Sequence, residues 1–465
     1  MNKISYGPFL QFYRESPTII KTVIGNILKP IPRSFLLGSG FKEKLQFLKE
    51  SEKWKTDELV KYQEQRLSLL IKHSYENVSY YHELFKSNGI YPDDIKKIKD
   101  LKKIPILTKD IIRENKQKLL SKNYSKFSPS QAQTSGTTGV PLVFYLDQQN
   151  REMEYAQMWR QIQWSGIKNV NIKIASFRGD FVFEPDSNKI CRTNGLQKEL
   201  TFNTYNLLDS QIKKIIIKLN KYKPELIKGF PHALFLISKY AVENDLDITF
   251  HPKIIQTSSE QLNNEMREII EQYFESKIFD RYAQSEYVIS FGQCEYGVYH
   301  QFMESGIISF IEDRYGFERL IGTGLWNYSM PFINYDVEDI IKSCNDSCQC
   351  NCNRGLSVIE DFQGRAEDII KTPDGRGISS AGFTHYWKHK ILPKLSTSPD
   401  YVHFIQEKTN KLLVELHLKD KNKKDIEYIK NQLINLIGIE SDIEIILLDE
   451  VPLKLKKWRM VESKI

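Results

Sequence analysis

The sequence of 465 residues has no apolar run near the roughly 20 residues that a membrane-spanning helix needs, so no transmembrane segment is expected. Its first residues, MNKISYGPFLQFYRESP, place polar side chains where a secretory leader carries its apolar stretch, and a cytoplasmic protein is expected. There is no basic stripe with interleaved aromatics: Lys is mixed with Asp and Glu, and the net charge of +7 is mild for this length. Nucleic acid is therefore not an expected partner. No internal repeat and no low-complexity tract is present. Cysteine is scarce, six in all, and unevenly placed. Cys191 and Cys294 stand alone, while Cys344, Cys348, Cys350 and Cys352 fall within nine residues. In a cytosolic chain such a cluster points to metal before it points to disulfides.

What is present describes an ordinary globular protein, with 40% hydrophobic and 27% charged residues. The length exceeds one hydrophobic core, so two domains or more are expected. The spacing of Leu59, Leu67, Leu70, Ile71 and Tyr75 predicts a helix within 52–88. LKKIPILTKDIIRENKQKLL predicts a turn at Pro105 and a helix capped by Thr108. A strand at 142–146 and a helix around 152–164 follow. β-like runs at 172–177, 226–228, 253–257 and 277–282 then alternate with helical stretches at 211–220 and 233–244. That alternation predicts an α/β domain with substantial parallel sheet. Beyond Gly364 the pattern turns smaller and mixed: NKLLVELHL and DIEIILLDE read as strands around a helix at 425–437. The expected division is a large domain over 1–364 and a small α+β domain over 365–465.

QTSGTTGVPLVFY, residues 133–145, packs Thr134, Ser135, Gly136, Thr137, Thr138 and Gly139 directly before an apolar strand. Two glycines free the backbone to aim successive N–H groups inward, and four hydroxyls add donors, which makes a cradle for phosphate oxygens. No Lys-Ser or Lys-Thr follows a glycine, so this is not the nucleotide loop G-x-x-x-x-G-K-[ST]. A plain turn is the competing reading of the loop alone.

Four later segments follow in order at wide spacing: YAQSE (282–286), MPFINYDVED (330–339), GRAEDII (364–370) and KKWRMV (456–461). With the loop, they resemble the motif series of the adenylate-forming superfamily of acyl-CoA synthetases, in particular its phenylacetate–CoA ligase-like branch with the capsule-associated CapK members. DLKKIPILTKDIIREN (100–115) and TSSEQL (257–262) are also similar to that branch. The resemblance implies an α/β adenylate-forming domain followed by a small mobile domain. It implies an AMP-forming acid–thiol ligase that uses ATP and Mg²⁺, takes a carboxylic acid, and passes the acyl group to CoA or another acceptor.

It further implies roles for matching residues. Thr134 to Gly139 would hold the leaving phosphates. Glu286 would position Mg²⁺, and Tyr282 would lie near the adenine. Asp339 would accept from the ribose hydroxyls, with Asp336 a neighbouring competitor. Arg365 would contact ribose or phosphate, Glu367 would sit at the hinge, and Lys457 would bring its ammonium to the carboxylate and α-phosphate. The acid's pocket is expected between 229–235, 257–262 and the loop after Tyr282, with Phe230 and His232 as candidate lining residues. Three departures stand out: Val337–Glu338–Asp339 replaces the usual Thr-Gly-Asp, Ala283 replaces a Gly, and Lys456 replaces the Gly before the C-terminal Lys. A catalytically silent relative acting as a scaffold or nucleotide-binding protein in polysaccharide assembly is the rival reading.

QCEYGVYH and CQCNCNRG supply Cys294, His300, Cys350 and Cys352. They resemble the branch's Cys…His and Cys-x-Cys-Gly-Arg elements, with Asn353 in place of Gly. Together they would make the S₃N tetrahedral set that suits structural Zn²⁺. A local set drawing on Cys344 and Cys348, or free thiols, are the alternatives.

Overall fold

The computed structural model describes residues 33, 37–134, 142–177, 189–194, 198–204, 207–344, 350–365, 368–378, 383–384, 386–418, 420–438, 441–449 and 460–465. The chain divides into two compact units. The first comprises Met1–Ser309, Ile321–Val337 and Cys344–Ile359; the second comprises Phe310–Leu320, Glu338–Ser343 and Glu360–Ile465.

In the first unit, helices α1 (Phe41–Ser51) and α2 (Thr56–Asn77) precede the hairpin β1 (Ser130–Gln133) and β2 (Val143–Leu146). Helix α3 (Gln148–Trp164) follows. The predicted turn and cap at 105–108 are present: the Thr108 hydroxyl accepts from the Ile111 N–H at 3.3 Å and starts a helix over Lys109–Glu114. The chain then alternates β3 (Ile174–Phe177), β4 (Cys191–Asn194), β5 (Glu199–Phe202), helix α4 (Asp209–Tyr222), β6 (Leu226–Gly229), helix α5 (Pro231–Glu243), β7 (Ile254–Ser258), helix α6 (Asn264–Phe274) and β8 (Ile278–Ala283). Strands β5, β3, β6, β7 and β8 are mutually parallel neighbours, as the alternation predicts. Strands β3, β6, β7 and β8 start on apolar residues and are buried along most of their length because both faces are covered. Strand β5, next to the edge strand β4, alternates between half-buried and buried residues. On one face α1 and α3 bring Phe41, Leu45, Leu48, Met153, Trp159 and Ile162 onto Ile174, Leu226, Ile254 and Phe279. At about 1.5–3 kcal/mol for each large apolar side chain fully buried, this layer is a principal source of the unit's stability.

After β8 the sheet turns antiparallel through β9 (Ser290–Gln293) and β10 (Tyr299–Gln301). Four further strands, β11 (Gly306–Glu312), β12 (Glu318–Gly324), β13 (Tyr335–Ser343) and β14 (Val358–Arg365), complete a twelve-stranded order, β11-β12-β13-β14-β10-β9-β8-β7-β6-β3-β5-β4. Each of these four carries residues of both units.

In the second unit, β15 (Ile370–Lys371) and β16 (Gly377–Ile378) pair with each other. Strands β17 (Tyr401–Lys408), β18 (Lys411–His417), β19 (Asp442–Leu447) and β20 (Val461–Ser463) form a sheet in the order β19-β18-β17-β20. Alternate residues Val402, Phe404, Leu412, Val414 and Leu416 face helix α7 (Lys423–Ile437), which answers with Ile429, Leu433 and Ile437, one turn apart. This is the α+β character expected of the last hundred residues. Among the described residues no helix is long and apolar enough to cross a membrane.

Candidate functional site

The small-residue loop joins β1 to β2, whose register runs from Ser130 opposite Leu146 to Gln133 opposite Val143. Its neck is closed by two hydrogen bonds. The Thr134 N–H donates to the Leu142 carbonyl and the Leu142 N–H to Thr134 Oγ1, both at 3.0 Å. A hydroxyl that accepts still has its own O–H to donate, so Thr134 keeps one donor. Ser135, Gly136, Thr137, Thr138 and Gly139 lie outside the described residues.

Parallel pairing brings three expected pocket segments to one edge of the sheet. Gly229 is opposite Thr257, and Ser258 is opposite Arg281. The carboxyl ends of β6, β7 and β8 therefore lie side by side, the edge where open α/β sheets take their ligands. The His232 N–H, in the first turn of α5, donates to Glu260 Oε2 at 3.3 Å, which links the first segment to the second. Burial pushes the His232 imidazole down to about 4. Phe230 is buried and Gly229 is tightly fitted: a Cβ there would lie 2.8 Å from that of Phe177.

Beyond β8, the Tyr287 N–H donates to the Gln284 carbonyl at 3.2 Å and turns the chain so that Glu286 points inward. Glu286 is 5% exposed. Its Oε1 accepts from the Tyr335 hydroxyl at 2.7 Å, so YAQSE and MPFINYDVED meet in one buried contact. Tyr335 was not singled out by sequence reasoning; a tyrosine pairing with an acid 49 residues away leaves no local pattern. Tyr282, at the end of β8, is half-buried and meets Phe291 edge-on across the strand pair at 5.8 Å.

Asp336 is buried, and its N–H donates to the Leu107 carbonyl at 3.0 Å, fastening the 104–107 segment to β13. Asp339 carries the second unit's carboxylate on β13, with Arg365 Nε of β14 at 3.8 Å from its Oδ1. Between them Glu338 adopts φ +64°, the left-handed region that non-glycine residues rarely occupy. The motif that this segment resembles has Gly there, the residue that adopts this region at no steric cost. Glu367 and Lys457 lie outside the described residues.

The sulfur-rich elements also meet. Cys294 directly follows β9 and His300 lies on β10, with the tight turn between them passing through Gly297 at φ +77°. Cys350 and Cys352 enter from the loop before β14, held against β10 by the Gln301 N–H donating to the Ser357 carbonyl at 2.8 Å. Cys294 Sγ is 3.5 Å from Cys350 Sγ, and Cys352 Sγ is 3.4 Å from His300 Nε2. All four ligand atoms lie within 4.8 Å of one another. A tetrahedral zinc with its usual bond lengths needs edges of about 3.6–3.8 Å, so the four atoms fit this span. His300 Nδ1 is 3.3 Å from the Leu356 carbonyl, which favours the proton on Nδ1 and the lone pair on Nε2, toward the cysteines. Burial, above all, lowers the His300 imidazole to about 4 and raises the Cys350 thiol to about 12. Cys344 is in a disulfide and takes no part, and Cys348 lies outside the described residues.

No protein-family description matches the chain. Protein CapK of Staphylococcus aureus is 24% identical over 364 residues, 77% of this chain and 78% of that protein. Phenylacetate–coenzyme A ligase of Escherichia coli is 39% identical over 93 residues, only 19% of this chain and 20% of the ligase. Among solved structures, 2-hydroxyisobutyryl-CoA ligase in the postadenylation state, in complex with 2-HIB-AMP, superposes with a TM-score of 0.68 at 15% identity, covering 90% of this chain and 92% of the ligase. The same ligase in complex with 2-HIB-AMP and CoA gives 0.57 at 16% identity over 89% and 91%. The chain has the fold of the adenylate-forming acyl-CoA ligases. Within that class it is homologous to CapK and to phenylacetate–CoA ligase.

Proposed function

We propose that this chain is an AMP-forming acid–thiol ligase, acting on a small carboxylic acid with ATP and passing the acyl group to CoA or another acceptor. The observation that carries the reading is the Glu286–Tyr335 contact, which joins two motifs of the adenylating series in a fold shared along nearly the whole chain. In the first half-reaction a carboxylate oxygen attacks the α-phosphorus and pyrophosphate departs. In the second the acceptor attacks the acyl carbonyl and AMP departs. Both reactants of the first step are anions, so the protein's task is to offset charge and align the attack.

Thr134, Ser135, Gly136, Thr137, Thr138 and Gly139 hold the departing phosphates in this reading. Glu286, a hard oxygen donor, is the residue that would hold Mg²⁺, which commonly takes one or two carboxylates beside substrate phosphates. Bound there, the ion would offset the pyrophosphate charge. Tyr335 fixes the rotamer of Glu286. Tyr282 lies along the adenine, Asp339 accepts from the ribose hydroxyls, Arg365 adds positive charge, and Lys457 serves the transition state of adenylation. The division into a body over 1–364 and a mobile domain over 365–465 belongs to the same proposal. So does a structural zinc on Cys294, His300, Cys350 and Cys352, where an imidazole that stays neutral and three thiols give the borderline-soft donor set zinc prefers.

Likeness to CapK is the ground for placing the enzyme in capsule or surface-polysaccharide biosynthesis. Pyrophosphate release with Mg²⁺–ATP and a panel of carboxylic acids, including hydroxy and amino acids, tests the reading. Release that depends on one of the acids is expected. Absence of acid-dependent release across the panel would favour a silent homologue.

A further inference from the structure

The thiol–imidazole cluster is assembled from two pieces of chain more than fifty residues apart, and one side chain beside it on the second piece reaches across to the first. Arg354 Nη1 donates to Glu295 Oε2 at 2.8 Å, and Glu295 directly follows Cys294. Arg354 itself lies two residues beyond Cys352, on the piece of chain that carries Cys350 and Cys352. Its guanidinium lies 4.3 Å from the centre of the Trp164 ring, and Trp164 meets the His300 imidazole edge-on at 6.2 Å. Asn353, at φ +56°, makes the left-handed turn between Cys352 and Arg354; asparagine is among the few non-glycine residues that tolerate it. Arg354 is 13% exposed and its partner Glu295 is 36% exposed, so the pair is anchored on its arginine side while the carboxylate stays partly in solvent.

We propose that Arg354 is the positioning residue that locks a zinc ion into the Cys294–His300–Cys350–Cys352 cluster, closing the hairpin onto the loop. The inference rests on the zinc reading above. Three thiolates and a neutral imidazole around Zn²⁺ carry a net negative charge, and a buried charge without a counter-charge is costly. Arginine answers this in two ways at once: its N–H reaches Glu295 beside Cys294, and its charge, two residues beyond Cys352, sits over the Trp164 ring. A lysine ammonium is a point charge without that fork or that plane. Partners one layer behind a metal's ligands set how firmly it is held, and their loss typically costs about 10- to 100-fold in affinity.

The test compares full-length wild type with Arg354→Ala, Arg354→Lys and Glu295→Gln. Zinc content is measured on the purified proteins, and the rate of metal loss to a chromophoric chelator is followed. One zinc per wild-type chain is expected. Release should be faster by about 10- to 100-fold in Arg354→Ala, with Arg354→Lys and Glu295→Gln between. In cobalt-substituted protein the sulfur-to-metal charge-transfer band of Arg354→Ala should move to lower energy, because thiolates that lose a neighbouring positive charge give up an electron more readily. Mere loosening of the fold would not produce that shift. Wild-type zinc content with an unchanged release rate and band in Arg354→Ala overturns the locking role while the zinc reading stands. A wild-type protein without zinc overturns both. If Arg354→Ala does not fold, wild-type release from both Arg354→Lys and Glu295→Gln overturns the role.

Discussion

Replacing Glu286 by Gln keeps the size of the side chain and an oxygen for the Tyr335 hydroxyl, yet removes the charge. That makes it a sharper probe than truncation, which would leave the tyrosine's buried O–H without its acceptor. Mg²⁺-dependent adenylation is expected to fall by about 10²-fold or more, the scale of losing one positioned electrostatic group, with little change in thermal stability. Pyrophosphate release at the wild-type rate would remove Glu286 from the metal site. His232 carries a different signature. Its folded value of about 4 lies below the ordinary 6.5, so the unfolded chain binds a proton that the native one does not between those values. The group's contribution is fully present above pH 6.5 and is lost as pH falls toward 4. By linkage it amounts to the order of 3 kcal/mol. His73 and His300 are lowered by burial too and slope the same way, while Asp147, raised to about 6 mainly by burial, slopes against them. The difference between His232→Asn and wild type therefore isolates the group. Urea titrations from pH 7 to 4 should show the variant losing less stability by that amount, and parallel curves would mean His232 titrates freely.

At the scale of the element, periodicity was a sound guide where one face is buried against a layer. The parallel strands β3, β6, β7 and β8, and the pair β18 and β19 around α7, all fall within a few residues of their expected spans. The helical stretch expected over 52–88 is instead two helices, α2 and Ser79–Ser87, broken at the extended Val78. What was not legible was the arrangement after Ala283. Strands β9 to β14 carry few strict alternations, because β9 and β10 are buried on both faces and β13 bends at Glu338. The helix expected to continue from Thr108 stops at Glu114, and a separate short helix, Lys116–Leu119, follows; Asn115 sits between them with its amide donating back to the Ile111 carbonyl at 3.0 Å. Side-chain bonding of that kind competes with the helix and leaves no trace in hydrophobic spacing. Periodicity gives no reading of the β9–β10 hairpin; only the resemblance joins Cys294 and His300 to Cys350 and Cys352. Cys350→Ser should therefore abolish stoichiometric zinc and lower the melting temperature by several degrees, since a structural ion contributes to folding directly. Full zinc retained in that variant, measured by atomic emission, would mean that the metal is bound elsewhere or by a smaller set.

For the whole molecule, the question is how one chain runs two reactions with opposed needs. Adenylation asks for cationic charge at a crowded meeting of two anions. Acyl transfer asks for room for a second nucleophile at the same carbonyl. The resemblance to adenylate-forming ligases answers with a C-terminal domain that serves the first step and then withdraws, and Lys457 in KKWRMV is the residue it assigns to that service. The described part of the second unit shows what carries such a segment: β20 begins at Val461, four residues beyond Lys457, and pairs in parallel with β17 from Phe404 to Gln406. Gln406 fixes the register further, donating to the Lys371 carbonyl at 2.7 Å and accepting from the Lys371 N–H at 2.9 Å. A basic tail that only solvated the surface would need no such anchor. A compact ammonium favours the transition state of adenylation over the separated anions, which is the condition for acceleration. Lys457→Ala is thus expected to abolish adenylate formation, measured by pyrophosphate release. Transfer from a presynthesised acyl-adenylate to the acceptor should continue at a rate within a few-fold of wild type. Lys456→Ala should change both only slightly. If Lys456→Ala is the variant that stops adenylation, the register of the tail is one residue off. If Lys457→Ala slows both half-reactions by the same factor, Lys457 does not serve adenylation alone, and the division of labour between the steps fails.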